Sequence, residues 1–294
     1  MGLGLIGGSL ARSLKETGFA AEVTGWGYRD VSLKKGVEQG VIDSFSLDLD
    51  EALDGADIVV IGTPTLTANE VMKEILPRLE AGSVITDVAS VKGSLVQAYQ
   101  DAREALAAGT NGLAPVAIAP FVPGHPIAGS ERSGVDASRA DLFVDHRVIL
   151  TPTEDADPDA VALVDAMWAS TGAEVVRMEV QAHDAILAAT SHLPHVLAYA
   201  LVDALARSEL SEDIFRYAAG GFRDFTRIAS SDPVMWRDIA LANREELLRS
   251  IDYFSDHLAQ LRQAVADGDG EAMERTFTDA KAARDAFTIG GKEQ

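Results

Sequence analysis

The chain opens on a glycine-rich run, Gly2-Leu3-Gly4-Leu5-Ile6-Gly7, which leads into a segment with helical spacing. This spacing is typical of a dinucleotide-binding turn. The first glycine makes a tight turn, the second lets the backbone approach a pyrophosphate, and the third lets the helix pack closely on a strand. The anion then binds free N–H groups at the helix N-terminus. Glycine triplets also occur in ordinary turns, so the motif needs support from the rest of the chain.

Only Met1 precedes this glycine run, although a strand normally comes before it. That strand would be central in the sheet and buried on both faces, so its loss would leave neighbouring strands without hydrogen-bond partners. Two explanations are open. Either the start was assigned too late in a longer natural chain, or the chain is a fragment with a compromised cofactor site. We favour the first.

The first half of the chain alternates between apolar β-branched runs and segments with helical spacing, which predicts a doubly wound parallel sheet. The predicted strands are 22–25, 57–61, 84–88, 147–151 and 173–178. The predicted helices are 8–17, 66–80, 92–108 and 157–172. We therefore expect a Rossmann-like α/β dinucleotide-binding domain over residues 1–179, with its first strand missing.

The second half contains no convincing strand, and residues 181–208, 233–266 and 270–287 are predicted to be helical. Residues 185–205 are apolar nearly all round, and a helix of that kind is buried in a core or in a subunit interface. We therefore expect an all-helical substrate and dimerisation domain over residues 180–294, and a homodimer.

Composition excludes several functional classes. The 25 Lys and Arg residues against 46 Asp and Glu give a net charge of −21, which argues against nucleic acid as a partner. The absence of cysteine excludes disulfides, thiolate nucleophiles and iron–sulfur clusters. No apolar run reaches the roughly 18 residues that a membrane helix needs, so we expect a cytoplasmic protein without a membrane partner. An anionic ligand would need a local basic pocket.

The second predicted strand should end in an acidic residue that binds the ribose 2′-hydroxyl of NAD. Gly27 occupies that place, so the expected carboxylate is missing. Arg29 is positioned to pair with the 2′-phosphate of NADP, whereas Asp30 could serve NAD from a shifted turn. NAD and NADP both remain candidates, with a slight preference for NADP.

His125 lies in a run of small residues and prolines, Pro123-Gly124-His125-Pro126-Ile127-Ala128-Gly129-Ser130. Such a run predicts a loop that leaves the imidazole accessible and fixed in direction. A neutral imidazole can accept a proton at physiological pH, which makes His125 a candidate general base. A structural or merely surface histidine is the alternative.

His192 and His195 lie three residues apart on one helical face. A metal site lacks a clear third and fourth ligand, so we predict none. The other interpretations are a helix kinked at Pro194 with both rings hydrogen-bonded in the core, or the lining of an anion pocket.

Arg216, Arg223 and Arg227 lie within twelve residues, in the segment RYAAGGFRDFTR. Guanidinium groups bind carboxylates bidentately, so this cluster is the candidate site for a dianionic substrate. A surface ion-pair cluster is the alternative.

Ser90 and Lys92 follow the strand 84–88, at the sheet edge where ligands bind in α/β folds. Ser90 could bind a substrate hydroxyl or cap a helix, and Lys92 could bind a carboxylate.

Five motifs taken together resemble the prephenate/arogenate dehydrogenase family, and they occur in order over nearly the whole chain. They are GLGLIGGSLA at 2–11, ITDVASVKG at 85–93, GHPIAGSERSGV at 124–135, TSHLPH at 190–195 and GGFRDFTRIASSDPVMWRD at 220–238. The resemblance implies NAD(P)-dependent oxidative decarboxylation in tyrosine biosynthesis. Prephenate would give 4-hydroxyphenylpyruvate, and arogenate would give tyrosine.

The resemblance also implies roles for individual residues. His125 would accept the proton of the ring C4 hydroxyl as hydride leaves C4, and Ser90 would orient that hydroxyl or the imidazole. Arg227 would anchor a substrate carboxylate, with His195 and Lys92 beside it. Trp236 would approach the site from the partner subunit. The predicted cofactor-binding residues are Gly2, Gly4, Leu5, Ile6, Gly7, Arg29 and Thr63.

Two other functions stay open from the sequence. One is a different two-domain NAD(P)-dependent oxidoreductase acting on a hydroxy acid or an imine, although such an enzyme has no reason to carry these motifs together. The other is a catalytically inert nucleotide-binding sensor, made inert by the shortened start.

Overall fold

The computed structural model describes residues 1–80, 82–109, 118–129 and 132–290, and they form two compact units, residues 1–244 and 245–294. The first unit holds all the strands described below together with most of the helices. The domain boundary predicted at residue 179 lies within the first of these units and stays a prediction.

The helices and strands of the described residues follow one another in this order. The strands are β1 Thr24–Trp26, β2 Ser44–Ser46, β3 Ile58–Ile61, β4 Val84–Asp87, β5 Phe121–Val122, β6 Gly124–Pro126, β7 Arg147–Leu150 and β8 Glu174–Arg177. The first helices are α1 Leu5–Glu16, α2 Val31–Glu38, α3 Leu49–Leu53, α4 Thr65–Ile75, α5 Gly93–Gly109 and α6 Pro158–Ser170. The later helices are α7 Val180–Leu187, α8 Leu193–Ala206, α9 Ser211–Arg216, α10 Gly220–Thr226, α11 Pro233–Ala242, α12 Arg244–Asp267 and α13 Gly270–Gly290.

The strands pair in three groups, with the orders β1-β2, β3-β4-β5 and β6-β7-β8. All pairs within the first two groups are parallel, as the alternation of strands and helices predicts. Strand β7 runs antiparallel to β6, which the sequence analysis did not anticipate, while β7 and β8 are again parallel. Because β5 and β6 are separated only by Pro123, the extended stretch 121–126 pairs with β4 through its first half and with β7 through its second half.

The chain start lies between the first two groups of strands. The amino group of Met1 donates to the carbonyl of Val60 at 2.9 Å, and the Met1 carbonyl accepts from the Gly62 amide at 2.7 Å. On the other side, the Gly2 amide donates to the carbonyl of Trp26 at 2.8 Å. Two residues therefore make part of the connection that a full central strand would make, and they bring the glycine run to the end of β3.

Helices cover both faces of the central strands, and the alternation of side chains along β3 shows why. Val59 and Ile61 belong to one buried cluster, which includes residues of α4 and α5. Ile58 and Val60 pack against a second cluster, which includes residues of α1 and α6. A strand that is apolar at every position is buried on both faces, so β3 folds as a central strand of a doubly wound arrangement, and β4 beside it is buried at all four positions.

The predicted helices and strands of the first half are present to within a few residues, but several short elements were missed. These are α2, β2, α3, β5 and β6. Two of them, β2 and α3, are only three and five residues long, and a helix of five residues has too little periodicity to be recognised. Segment 216–227, for which no helix was predicted, is mostly helical, with α10 at Gly220–Thr226.

Beyond β8 the described residues contain only helices and turns, as predicted. The helix predicted over 181–208 is present as α7 and α8, joined by the π-helical turn Ala188–His192. Segment Val180–Ala206 is long and apolar enough to cross a membrane, with a mean hydropathy of 1.5, which contradicts the expectation that no run reaches that length. Only 22% of its most apolar 18-residue window is buried within the chain, although the segment carries the buried polar groups His183 and His192.

The second unit consists of most of α12 and of α13. Several large apolar side chains on these helices are exposed, which is typical of surfaces that meet a partner. They are Leu248, Tyr253, Leu258, Val265 and Phe277.

Candidate functional site

The glycine run forms a tight turn at the N-terminus of α1. Gly2 has a φ of +81°, and a Cβ there would meet the Thr63 side chain at 2.8 Å, so only glycine fits. A Cβ at Gly7 would lie 2.7 Å from the Gly2 carbonyl oxygen, so the third glycine is needed for the turn to pack on the helix. Gly4, by contrast, faces open space, with no atom within 4 Å of a Cβ built there.

These features fit a dinucleotide. Gly4 is the N-cap of α1 and supplies no side-chain hydrogen bond to the first turn, and the space beside it is open. The hydroxyl of Thr63 is buried and has no hydrogen-bond partner among the described residues. Since buried hydroxyls are normally hydrogen-bonded, an oxygen-rich ligand at this turn would complete the arrangement. Gly2, Gly4, Leu5, Ile6, Gly7 and Thr63 would hold it.

The residues after β1 bear on the choice of cofactor. Arg29 is exposed, and Asp30 pairs with Lys34 at 2.6 Å on the first turn of α2. The ammonium of Lys34 lowers the pKa of Asp30 through a side-chain hydrogen bond, so this carboxyl stays ionised but already has a cationic partner.

A buried ion pair ties the ends of β4 and β6 together. The ammonium of Lys92 contacts the carboxylate of Asp87 and donates to the Gly124 carbonyl at 2.5 Å, and both side chains are wholly buried. Asp87 in turn accepts from the amides of Ala89 at 2.9 Å and Gly124 at 3.0 Å. Burial lowers the pKa of Lys92, against the opposing effect of Asp87. The predicted contact of Lys92 with a substrate carboxylate stays untested, and its observed contacts favour a structural role.

His125 lies on β6, opposite Ile149 of β7, and only 9% of it is exposed. The expectation of an accessible loop is therefore wrong, because the segment is an extended strand packed against β7. Burial, the Lys92 ammonium and His183 together lower the pKa of His125 well below 6.5. The imidazole is therefore neutral at physiological pH and able to accept a proton. Ser130 and Glu131 of the same motif lie outside the described residues.

Two residues that were not predicted from the sequence, His183 and Asp184, form a series of hydrogen bonds with His125. His125 Nδ1 lies 2.9 Å from His183 Nε2, and His183 Nδ1 lies 2.8 Å from an Asp184 carboxylate oxygen. Asp184 also accepts from the amides of Lys92 at 2.9 Å and Gly93 at 2.8 Å, at the start of α5. Burial alone would raise the pKa of Asp184, but the hydrogen bonds from His183 and these amides outweigh it and lower the pKa. Their sequence, VQAHDAIL, carries no signal of this arrangement because the contacts join distant elements.

Asn243 connects this group to His192. Its side-chain amide nitrogen donates to the Asp184 carbonyl at 2.8 Å and lies 3.1 Å from His192 Nδ1. Because the amide nitrogen can only donate, His192 Nδ1 accepts and the ring proton is on Nε2. Burial lowers the pKa of His192 to about 4, so the ring stays neutral. Its Nε2 has no partner among the described residues, so a buried donor remains available to a ligand.

His195 stacks on Trp236, with ring centroids 3.5 Å apart. Trp236 therefore contacts this histidine within its own chain, and its approach to the site of a partner subunit stays a prediction. His195 Nδ1 donates to the Ser191 carbonyl at 2.8 Å, so a neutral ring presents an acceptor at Nε2. Burial lowers the pKa of His195, the hydrogen bond to Ser191 opposes this effect, and the nearby charge of Arg227 lowers the pKa further.

The remaining candidates lie on several elements. Ser90 is half-buried between β4 and α5, and Arg216, Arg223 and Arg227 are exposed on or next to α9 and α10. Within the described ranges, no group of three or more His, Asp or Glu side chains is arranged to hold a metal ion. His192 and His195 are both hydrogen-bonded, as one interpretation of the SHLPH motif expected, and their place in the lining of an anion pocket stays a prediction.

Comparison with known proteins identifies the two halves. The family model "Prephenate dehydrogenase, nucleotide-binding domain" matches residues 10–177, and "Prephenate dehydrogenase, dimerization domain" matches residues 179–279. The chain is 36% identical to the cyclohexadienyl dehydrogenase of Zymomonas mobilis over 97% of this chain and 93% of that protein. It is also 36% identical to the prephenate dehydrogenase of Bacillus subtilis, over 99% of this chain and 76% of that protein.

Solved structures give the same result. Prephenate dehydrogenase from A. aeolicus was solved in complex with hydroxyphenyl propionate and NAD+. It has a TM-score of 0.86 at 36% identity, and the match covers 97% of this chain and 96% of that protein. Arogenate dehydrogenase from Synechocystis has a TM-score of 0.79 at 28% identity, with 98% of both chains covered.

The buried ion pair makes a prediction for stability. Replacing Lys92 by Met leaves the Asp87 charge buried without its partner, which should lower the free energy of unfolding by about 3–5 kcal/mol. Urea unfolding of Lys92→Met measures this. The control is Lys73→Met, which removes an exposed ammonium 2.9 Å from Glu70 and should change stability by less than about 1 kcal/mol. Equal effects of the two substitutions would contradict the structural role of Lys92.

Proposed function

Because the chain belongs to the prephenate dehydrogenase family, we propose that it catalyses the NAD(P)-dependent oxidative decarboxylation of prephenate to 4-hydroxyphenylpyruvate. One observation carries the proposal: a neutral imidazole, His125, is held by hydrogen bonds at the sheet edge where β4 ends and β6 begins. The glycine turn lies where β3 ends, next to β4 and at the same edge. In α/β folds, ligands bind beyond the carboxyl ends of the parallel strands.

The bound nicotinamide ring supplies the hydride acceptor of this reaction. Removal of hydride from C4 leaves positive charge at that carbon, so the hydroxyl on C4 must lose its proton as the carbonyl forms. His125 accepts that proton. Its low pKa keeps it in the base form at pH 7, and a positioned base typically contributes about 10²–10⁴-fold.

Loss of CO2 follows because it makes the ring aromatic. Its electron pair moves through the ring to the C4 oxygen, which takes the proton back from His125 as the phenol forms. The proton is therefore held at the active site and returned, and the enzyme needs no path to solvent for it. What the protein must do is hold a dianion with C4 facing the cofactor.

Substrate binding would depend on the arginine cluster and the stacked rings. We assign Arg227 to a substrate carboxylate, because its charge acts on His195 and a guanidinium is suited to carboxylates. His195 and Trp236 would line the same pocket, and the free Nε2–H of His192 is available to a substrate oxygen. Ser90 would bind the C4 hydroxyl.

Arogenate differs from prephenate only in carrying an amino group in place of the side-chain keto group. A neutral His195 presents an acceptor at Nε2, which could receive a hydrogen bond from an ammonium group. This favours arogenate as a second substrate, and the similar proteins include both a prephenate dehydrogenase and an arogenate dehydrogenase.

For the cofactor we propose use of NADP at least equal to that of NAD. Gly27 replaces the usual carboxylate, Arg29 is exposed, and Asp30 already pairs with Lys34. The A. aeolicus protein was solved with NAD+, so the local residues and that relative point in different directions. We further propose a homodimer formed through the region that matches the dimerization domain, and a monomer by sedimentation would contradict it.

The first test is turnover by the purified chain. Prephenate and arogenate are each assayed with NAD and with NADP by the absorbance of the reduced nicotinamide. We expect turnover of prephenate, with kcat/KM for NADP at least equal to that for NAD, and a lower NADP preference in Arg29→Ala. Exclusive use of NAD would overturn the cofactor proposal, and no turnover with any pair would overturn the function.

His125→Asn should lower kcat for prephenate by about 10²-fold or more, because it removes the base while leaving the binding contacts in place. Steady-state kinetics measures kcat and KM separately. His257→Asn, which changes an exposed histidine on α12, serves as the control and should match wild type. Wild-type turnover in His125→Asn would show that another group accepts the proton.

Arg227→Ala should raise KM for prephenate by about 10- to 100-fold with a smaller change in kcat, because it removes a charged contact made before the chemical step. The control is Arg207→Ala, which removes an exposed guanidinium paired with Asp203 on α8. If KM is the same in both variants, the carboxylate binds elsewhere.

A further inference from the structure

Two buried groups take no part in the steps described above. His183 is wholly buried on α7, and Asp184, which follows it, is 7% exposed. Both lie in line with His125 through hydrogen bonds of 2.9 and 2.8 Å. We propose that Asp184 and His183 are positioning residues that fix the tautomer of His125, so that Nε2 is the nitrogen that accepts the substrate proton. The proposal rests on the function proposed above.

The donors and acceptors in this series of hydrogen bonds can be assigned by starting from Asp184. Asp184 has a lowered pKa and is ionised, so its oxygen only accepts, and His183 Nδ1 must carry the proton that it donates. Complete burial disfavours a charged ring, and in a neutral His183 the proton on Nδ1 leaves a lone pair on Nε2. That lone pair requires a donor from His125, so the proton of neutral His125 is on Nδ1. His125 Nε2 is left with its lone pair available.

This assignment matters because the tautomer is not the one that imidazole prefers by itself. Free neutral histidine favours the proton on Nε2, and in that form His125 would present a donor to the substrate hydroxyl and could not take its proton. The hydrogen bond to His183 reverses this preference. In the reaction the substrate O–H bond breaks and an Nε2–H bond forms, while the Nδ1 proton stays where it is.

Backbone amides fix the position of Asp184, the last residue of this hydrogen-bonded series. The two carboxylate oxygens of Asp184 accept from the amides of Lys92 and Gly93, and its carbonyl accepts from Asn243. A Cβ at Gly93 would lie 2.9 Å from the Asp184 carboxylate, so glycine is needed for this approach. The Asp184 carboxylate is therefore held in one orientation. Its hydrogen bond orients His183, and the hydrogen bond from His183 orients His125.

The tautomer can be measured directly. In protein labelled with 15N-histidine, the side-chain 15N shifts and their couplings distinguish Nδ1–H from Nε2–H imidazole. At pH 7.5, without substrate, we expect His125 in the Nδ1–H form, with the assignment made by the loss of its signals in His125→Asn. This readout does not depend on turnover, so it can succeed or fail separately from the proposed function. A wild-type His125 in the Nε2–H form would overturn the proposal.

Two substitutions of His183 separate positioning from packing. Gln places its amide oxygen near the position of Nε2, so His183→Gln keeps an acceptor for His125. Asn places its amide near Nδ1, so His183→Asn keeps the contact with Asp184 and loses the one with His125. We expect His183→Asn to lower kcat by about 10- to 100-fold with KM changed by less than about threefold, and His183→Gln to recover most of the loss.

The same variants are compared by their 15N spectra. His183→Asn should shift His125 towards the Nε2–H form, and His183→Gln should retain the Nδ1–H form, while His257→Asn leaves the signals of His125 unchanged. Equal losses of kcat in the Asn and Gln variants would indicate a packing role and overturn the proposal. So would wild-type kcat in His183→Asn.

Discussion

The buried ion pair between Lys92 and Asp87 is the interaction on which the rest of the site depends. It lies where β4 ends, and through Gly124 it sets the position of β6 and so of His125. Two charges without access to water are stable only when their hydrogen bonds are complete, so the residues around them have little freedom. The amides of Ala89 and Gly124 complete the bonds of Asp87. A polar pair of this kind adds little to stability compared with apolar packing, but it specifies one arrangement.

The Lys92 cation of this ion pair also weakens the base, in addition to the larger effect of burial. The Lys92 cation is one cause of the low pKa of His125, after burial itself. The ionised Asp184 lies on the far side of His183 and favours the protonated state that His125 passes through. The Lys92 cation and the Asp184 carboxylate therefore act on His125 in opposite directions. This balance suits a base that must accept a proton and return it within one turnover. A stronger base would retain it.

The elements of this molecule that could be predicted from the sequence are those that short-range sequence patterns determine. The glycine run, the apolar strands such as 57–61 and the long helices were predicted because periodicity and local turns determine them. The buried position of His125 could not be predicted, since its run of prolines and small residues is equally typical of a loop and of a short extended strand. The antiparallel β7 depends on a pairing with β6 that no local pattern encodes. His183 and Asp184 were missed for the same reason, because their partners Lys92 and His125 lie about 60–90 residues away.

One helical segment shows how an apolar pattern can conceal a polar function. Val180–Ala206 is hydrophobic enough to resemble a membrane span, yet it carries His183, Asp184, His192 and His195. The π-helical turn at Ala188–His192 interrupts the regular spacing between α7 and α8, and turns of this kind are frequent at functional sites. Three of these four side chains are almost completely buried, and a buried polar group is retained only where its partners are in place. Within this apolar segment, a few hydrogen bonds between buried polar groups therefore determine which imidazole nitrogen is available to react.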